Sequence, residues 1–138
     1  MWFKRDLRVE DHRPLQSAIK QGIPVLLLYI QEPELWADDH MDHRHNQCIY
    51  QSLTDINAHL SAFNQRVIVL EGNPLLIFQD LHQRYTIDHV FSHRETGLKQ
   101  TYDRDVTLSD FFRKVSISWI EFQRNGVLRG LKNRDTWR

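Results

Sequence analysis

The chain alternates between short continuous apolar runs and longer stretches in which apolar residues recur every three or four positions. The runs cover 24–30, 66–70, 87–92 and 117–120 and are rich in β-branched and aromatic residues. Such runs are typical of strands that are buried on both faces. Residues 1–3 are also apolar, but a strand normally has about 5 residues, so we expect them to be the end of a strand.

Four helices are predicted between these strands. The first follows Pro14, the third begins at Asn73-Pro74, read as an N-cap and a first-turn proline, and the fourth covers about 98–114. The second and clearest has a 4-3-4-3 spacing of apolar residues, which puts them on one face: Ile49, Leu53, Ile56, Leu60 and Phe63. The inward residues predicted for the others are Leu15, Ala18 and Ile19; Leu75, Leu76, Phe78 and Leu81; and Leu98, Tyr102, Val106, Ser109 and Phe112.

Strands that alternate with helices in this way predict βαβ units and therefore a parallel sheet. Because βαβ crossovers are right-handed, the expected fold class is α/β: a Rossmann-like, doubly wound parallel sheet of about five strands with helices on both faces. Such sheets bind ligands at the carboxyl ends of their strands. The loops after residues 3, 30, 70, 92 and 120 are therefore the candidate functional loops.

Composition narrows the function classes. The chain has 138 residues, 41% of them hydrophobic, which suits one globular domain. Its 18 basic and 18 acidic residues balance, whereas a free-standing nucleic-acid binder usually has a basic excess. The longest apolar run, 25–30, is too short to cross a membrane, so no membrane partner is expected. The single cysteine, Cys48, excludes an internal disulfide and favours a cytoplasmic location.

Two common kinds of ligand site are not supported by the sequence. Gly72 stands between Glu71 and Asn73 without a glycine-rich phosphate loop, which argues against an ordinary NAD or ATP site. Imidazoles and a carboxylate that are suitable for zinc occur together at His40, Asp42, His43 and His45. His43 and His45 would face different ways on a helix, so this segment is interpreted as a polar loop with the start of a helix, and no metal site is predicted.

The densely charged segment 2–11, Trp-Phe-Lys-Arg-Asp-Leu-Arg-Val-Glu-Asp, is followed by Pro14-Leu15. It resembles the N-terminal signature of the DNA photolyase/cryptochrome family. Other stretches resemble the family in the same order, so that the resemblance covers essentially the whole chain: 24–33, 93–97, 102–105 and 126–130. One departure is His12-Arg13, where many members have Asn followed by a small residue or proline.

The resemblance implies that residues 1–122 are the family's N-terminal α/β domain and that 123–138 begin the interdomain linker. The C-terminal domain, which binds FAD and contacts damaged DNA, would be absent, and no catalytic residue is expected in this chain. The implied function is the light-harvesting domain of a bacterial deoxyribodipyrimidine photolyase, whose full-length form repairs pyrimidine dimers in a light-driven, FAD-dependent reaction. The alternatives are the same domain of a cryptochrome-type blue-light photoreceptor and a free-standing nucleotide-binding α/β protein.

The partners implied are the chain's own C-terminal FAD domain and, through the full-length protein, damaged DNA. An uncovered domain interface would also allow a non-physiological dimer. The resemblance further implies an antenna chromophore, a folate or a deazaflavin, over two loops. Loop 31–45 supplies Trp36, Asp42 and Arg44, and loop 93–105 supplies Glu95, Lys99 and Tyr102. Arg104 and Asp105 are expected to brace the loop by ion pairing with segment 5–8.

Overall fold

The computed structural model describes residues 1–36, 43–95 and 98–123. Its strands are β1 (Trp2–Phe3), β2 (Leu28–Gln31), β3 (Ile68–Glu71), β4 (His89–His93) and β5 (Ser118–Phe122). Its helices are α1 (Arg13–Lys20), α2 (Pro33–Trp36), α3 (His43–Ser61), α4 (Pro74–Arg84) and α5 (Lys99–Lys114). Among the described residues, none of the helices combines the length and the apolar character needed to cross a membrane.

All the strand pairs are parallel. β1, β2 and β3 form one hydrogen-bonded ladder, and β4 pairs with β5 in a second. β4 also lies beside β1, so the spatial order is β3-β2-β1-β4-β5. This order confirms the predicted Rossmann-like sheet. The direction of winding reverses between β1 and β4, and this switch point is where doubly wound folds bind their ligands.

The helices cover both faces of the sheet, as predicted. One core cluster contains residues of α1 and α3, and the other contains residues of α4 and α5. Trp2 belongs to the second cluster and Phe3 to the first, because successive strand residues point to opposite faces. β1 therefore contributes a large aromatic side chain to each core.

Some helix ends and faces agree with the sequence and others do not. Asn73 caps α4, since its side chain accepts a hydrogen bond from the Leu75 N–H at 2.9 Å. On α3, Leu53 and Ile56 are buried, but Phe63 lies beyond the helix and is 75% exposed. Ile19 and Leu76 are also exposed rather than inward.

The predicted inward face of α5 is only partly right. Phe112 is buried as predicted, but Tyr102 is 50% exposed and Val106 46% exposed. The other buried positions of this helix are Thr101, Asp105 and Leu108. Apolar periodicity misses this face because the first turns of α5 pack over charged side chains, where polar residues are the buried ones.

Candidate functional site

Charged side chains from several elements meet at the carboxyl ends of β1, β2 and β4, around the switch point. We call the group formed by Lys4, Glu32, Glu95, Arg104 and Asp105 the Arg104 network. A second group, Asp6, His12 and His93, is called the Asp6 cluster. Both lie where the predicted candidate loops leave the sheet.

Arg104 is the centre of the first group. Its Nη1 lies 2.5 Å from Glu32 Oε1, and its Nη2 lies 2.8 Å from Asp105 Oδ1 and also pairs with Glu95. The guanidinium carbon stands 5.0 Å from the centre of the Trp2 ring. Burial alone would lower the pKa of Arg104, but the carboxylates, with Glu95 foremost, raise it. One partly buried cation thus joins the loops after β2 and β4 to α5.

Lys4, which directly follows β1, extends this network. It is only 7% exposed, and its Nζ lies 3.3 Å from Asp105 Oδ2. The same ammonium stands 4.5 Å from the centre of the Trp2 ring and 5.1 Å from that of Trp119, within range of a cation–π interaction. The buried Lys4 and the partly buried Arg104 are therefore already neutralised by carboxylates and aromatic faces.

The predicted pairing of Arg104 and Asp105 with segment 5–8 is wrong. Asp105 pairs with Lys4, just outside that segment, and Arg104 itself pairs with acids. Within the segment, Arg5 Nε lies 3.6 Å from Glu95 Oε1. Ion pairs therefore brace the loop after β4, but through other residues than predicted. The sequence analysis did not single out Glu32. This residue directly follows β2, so its position at the carboxyl end of a strand could have identified it.

The Glu32 carboxyl has a raised pKa. Burial raises its pKa to about 7, and Arg104 only partly opposes this because it is shared with Glu95 and Asp105.

This raised pKa predicts a pH dependence of stability. In the folded state Glu32 keeps its proton up to about pH 7, whereas in the unfolded state it releases the proton above its ordinary pKa. The stabilisation that this protonation gives the folded state is therefore complete at low pH and is lost as the pH rises toward about 7. Between pH 4.5 and 7 the wild type should lose on the order of 2 kcal/mol more unfolding free energy than Glu32→Gln. Urea unfolding across this range measures the difference. Glu34→Gln, at an exposed position of α2, is the control, and parallel curves for wild type and Glu32→Gln would contradict the assignment.

The Asp6 cluster is more deeply buried. His12 is 0% exposed, Asp6 2% and His93 5%. Asp6 Oδ1 accepts a hydrogen bond from the Lys4 N–H at 2.8 Å, and its Oδ2 pairs with His93 Nδ1 and lies 2.6 Å from His12 Nε2. In the sequence, Asp6 is only one of several charges in segment 2–11, and His12 is only a departure from the family pattern.

The antenna residues predicted from the sequence fall in several places. Glu95 is half-buried after β4 and belongs to the Arg104 network, whereas Lys99 and Tyr102 lie on the exposed first turns of α5. Arg44 is exposed at the start of α3. Trp36 ends α2, but its side chain, like the whole of Asp42, lies outside the described residues. A chromophore contact at these residues stays a prediction.

Comparison with known proteins places the chain in a family. The sequence profile of the family described as DNA photolyase matches residues 1–131. The chain belongs to the DNA photolyase family. It is 28% identical over 133 residues to the deoxyribodipyrimidine photo-lyase of Vibrio cholerae, covering 93% of this chain and 28% of that protein. It is 25% identical over 100 residues to the cryptochrome DASH of Synechocystis sp., covering 69% of this chain and 20% of that protein.

Solved structures agree on the fold of this DNA photolyase family member. The cryptochrome of Synechocystis sp. superposes with a TM-score of 0.80 at 22% identity, over 88% of this chain and 26% of that one. A bacterial class III photolyase from Agrobacterium tumefaciens superposes with a TM-score of 0.74 at 22% identity, over 88% of this chain and 24% of that one. The chain therefore spans about a quarter of the length of these relatives.

Proposed function

We propose that residues 1–122 are the antenna-chromophore domain of a bacterial deoxyribodipyrimidine photolyase and that 123–138 begin its linker to a C-terminal FAD domain. In this proposal the full-length protein repairs pyrimidine dimers in damaged DNA. The support from sequence is the family match over 1–131 and the similarity of 93% of the chain to a photo-lyase. The structural observation that carries the proposal is the charged switch point between β1 and β4, the ligand-binding position of this fold.

The side chains around the switch point fit a partly anionic heterocycle that binds at the exposed edge of this site, called the rim, rather than among the buried charged side chains. Lys4 and Arg104 are neutralised by Glu32, Glu95 and Asp105, so the buried network has no positive charge to offer a ligand. The rim consists of a cation, Lys99, and an aromatic face, Tyr102, at exposed positions on the first turns of α5. A ligand lying over the first turn of α5 would contact these groups.

In that arrangement each rim group has a distinct task. The Lys99 ammonium attracts the anionic part of the ligand, the Tyr102 ring covers one face of the heterocycle, and the Arg104 network fixes the turn that carries both. A folate or deazaflavin held there would supply light absorption for energy transfer to the flavin.

Chromophore titration of the full-length protein tests this proposal. Folate and deazaflavin binding is followed by fluorescence in the wild type, Lys99→Ala and Tyr102→Ala. Each substitution should weaken binding about fivefold or more, since each removes a charged or stacking contact of about 1–3 kcal/mol. Lys114→Ala, at the opposite end of α5 and also exposed, is the matched control. If both rim variants bind like Lys114→Ala, the rim does not hold the chromophore.

The second candidate is the same domain of a cryptochrome-type photoreceptor, favoured by the similarity to a cryptochrome DASH. Light-dependent repair of cyclobutane dimers in an oligonucleotide by the full-length protein separates the two. Repair supports the photolyase; flavin photoreduction without repair supports the cryptochrome.

A further inference from the structure

Three potential metal ligands converge inside the protein near the switch point. Asp6 lies in the loop after β1, His12 is the N-cap of α1, and His93 ends β4. One donor atom from each lies within 4.8 Å of the other two, and all three residues are buried. The group thus ties together three separate elements, independently of the proposed antenna site.

One nitrogen of this group is left without a hydrogen-bond partner. The Leu15 N–H donates to His12 Nδ1 at 3.2 Å, so the ring proton is on Nε2. Nε2 lies 2.6 Å from Asp6 Oδ2, yet it has no hydrogen-bond partner within the described part of the chain. The contact is close but poorly aligned. A buried polar atom without a hydrogen-bond partner is uncommon. This nitrogen lies close to the potential metal-ligand atoms of Asp6 and His93.

We propose that Asp6, His12 and His93 bind a divalent metal ion of the zinc type, with His12 Nε2, His93 Nδ1 and Asp6 Oδ2 as ligands. Two imidazoles and one carboxylate are a common protein donor set for zinc, in which a fourth position is left for water. Coordination replaces the protons now lying between the rings and the carboxylate. The ion then joins the loop after β1, the start of α1 and the end of β4.

Coordination has one identifiable cost. When the metal occupies Nε2 of His12, the ring proton moves to Nδ1, which can no longer accept the Leu15 N–H bond. A single N-cap bond is a small contribution beside coordination by three protein ligands. Metal binding therefore changes the His12 tautomer, and this change provides a specific signature.

Metal titration of the purified protein tests the site. Zn²⁺ is titrated in competition with a fluorescent chelator, and Co²⁺ is followed by its d–d absorption, in the wild type, His12→Asn and His93→Asn. Asn keeps a polar atom near the Nδ1 position, so it can retain the cap at His12 and the bond to Asp6 at His93. Each variant should lose at least about 100-fold in Zn²⁺ affinity, whereas His59→Asn, on the exposed side of α3, should bind like the wild type. Equal affinity in all four proteins would overturn the proposal.

A measurement on the wild type alone covers the case in which a variant does not fold. In ¹⁵N spectra of assigned histidine side chains, one equivalent of Zn²⁺ should shift the ring nitrogens of His12 and His93 and move the His12 proton to Nδ1. Unchanged His12 and His93 signals, with shifts only at other histidines, would overturn the proposal.

Discussion

Arg104→Met should lower the free energy of unfolding by about 3–5 kcal/mol near pH 8, the range seen when one partner of a buried ion pair is removed. The substitution keeps an unbranched apolar stem but leaves Glu32, Glu95 and Asp105 without their shared guanidinium. Urea unfolding measures the loss. It should shrink below pH 7, because Glu32 then accepts a proton.

A matched arginine on the same helix provides the control. The side chain of Arg113 is 79% exposed and lies 3.9 Å from Asp110, and exposed pairs of this kind contribute little. Arg113→Met should therefore barely change stability, and Arg104→Lys, which keeps the charge but loses the fork of donors, should fall between. If Arg104→Met were no worse than Arg113→Met, the network would not stabilise the fold.

Leu53→Ala should cost about 2–5 kcal/mol of unfolding free energy, because it leaves a cavity in the core between α3 and the sheet. Leu53 is 8% exposed in the same cluster as Ile56. Leu76→Ala is the matched control: the same substitution on α4, at a leucine that is 64% exposed, should change stability by less than about 0.5 kcal/mol. A loss below that value for Leu53→Ala would mean that α3 packs differently.

The fold could be predicted because apolar periodicity directly reports the burial of apolar side chains. It identified the strands and the inward residues Leu53 and Ile56, while the Asn73-Pro74 pair identified the cap of α4. It failed for Leu76 and Phe63, which are apolar but exposed, and for Thr101 and Asp105, which are polar but buried. A polar side chain is buried when it has a partner, and the partner does not appear in a local pattern.

The site was less predictable for the same reason. Arg104 and Glu32 are 72 residues apart, and Asp6 and His93 are 87 apart. Their pairing depends on the order of the strands and on where each strand ends. The positions of Asp6, Glu32 and His93 at the carboxyl ends of strands were readable from the sequence. The sequence did not show which of its eight histidines would lie together in the structure.

The two aromatic side chains of β1 have a consequence for how this domain tolerates change. Trp2 carries the stacked cations Lys4 and Arg104 on one side of the sheet, while Phe3 meets the His12 ring on the other. A one-residue insertion or deletion within the strand would exchange the two sides and move both aromatic rings away from their partners at once. The length of this strand is therefore more tightly constrained than the identity of its residues. A conservative replacement of either aromatic ring should disturb the molecule less than the insertion or deletion of a single residue.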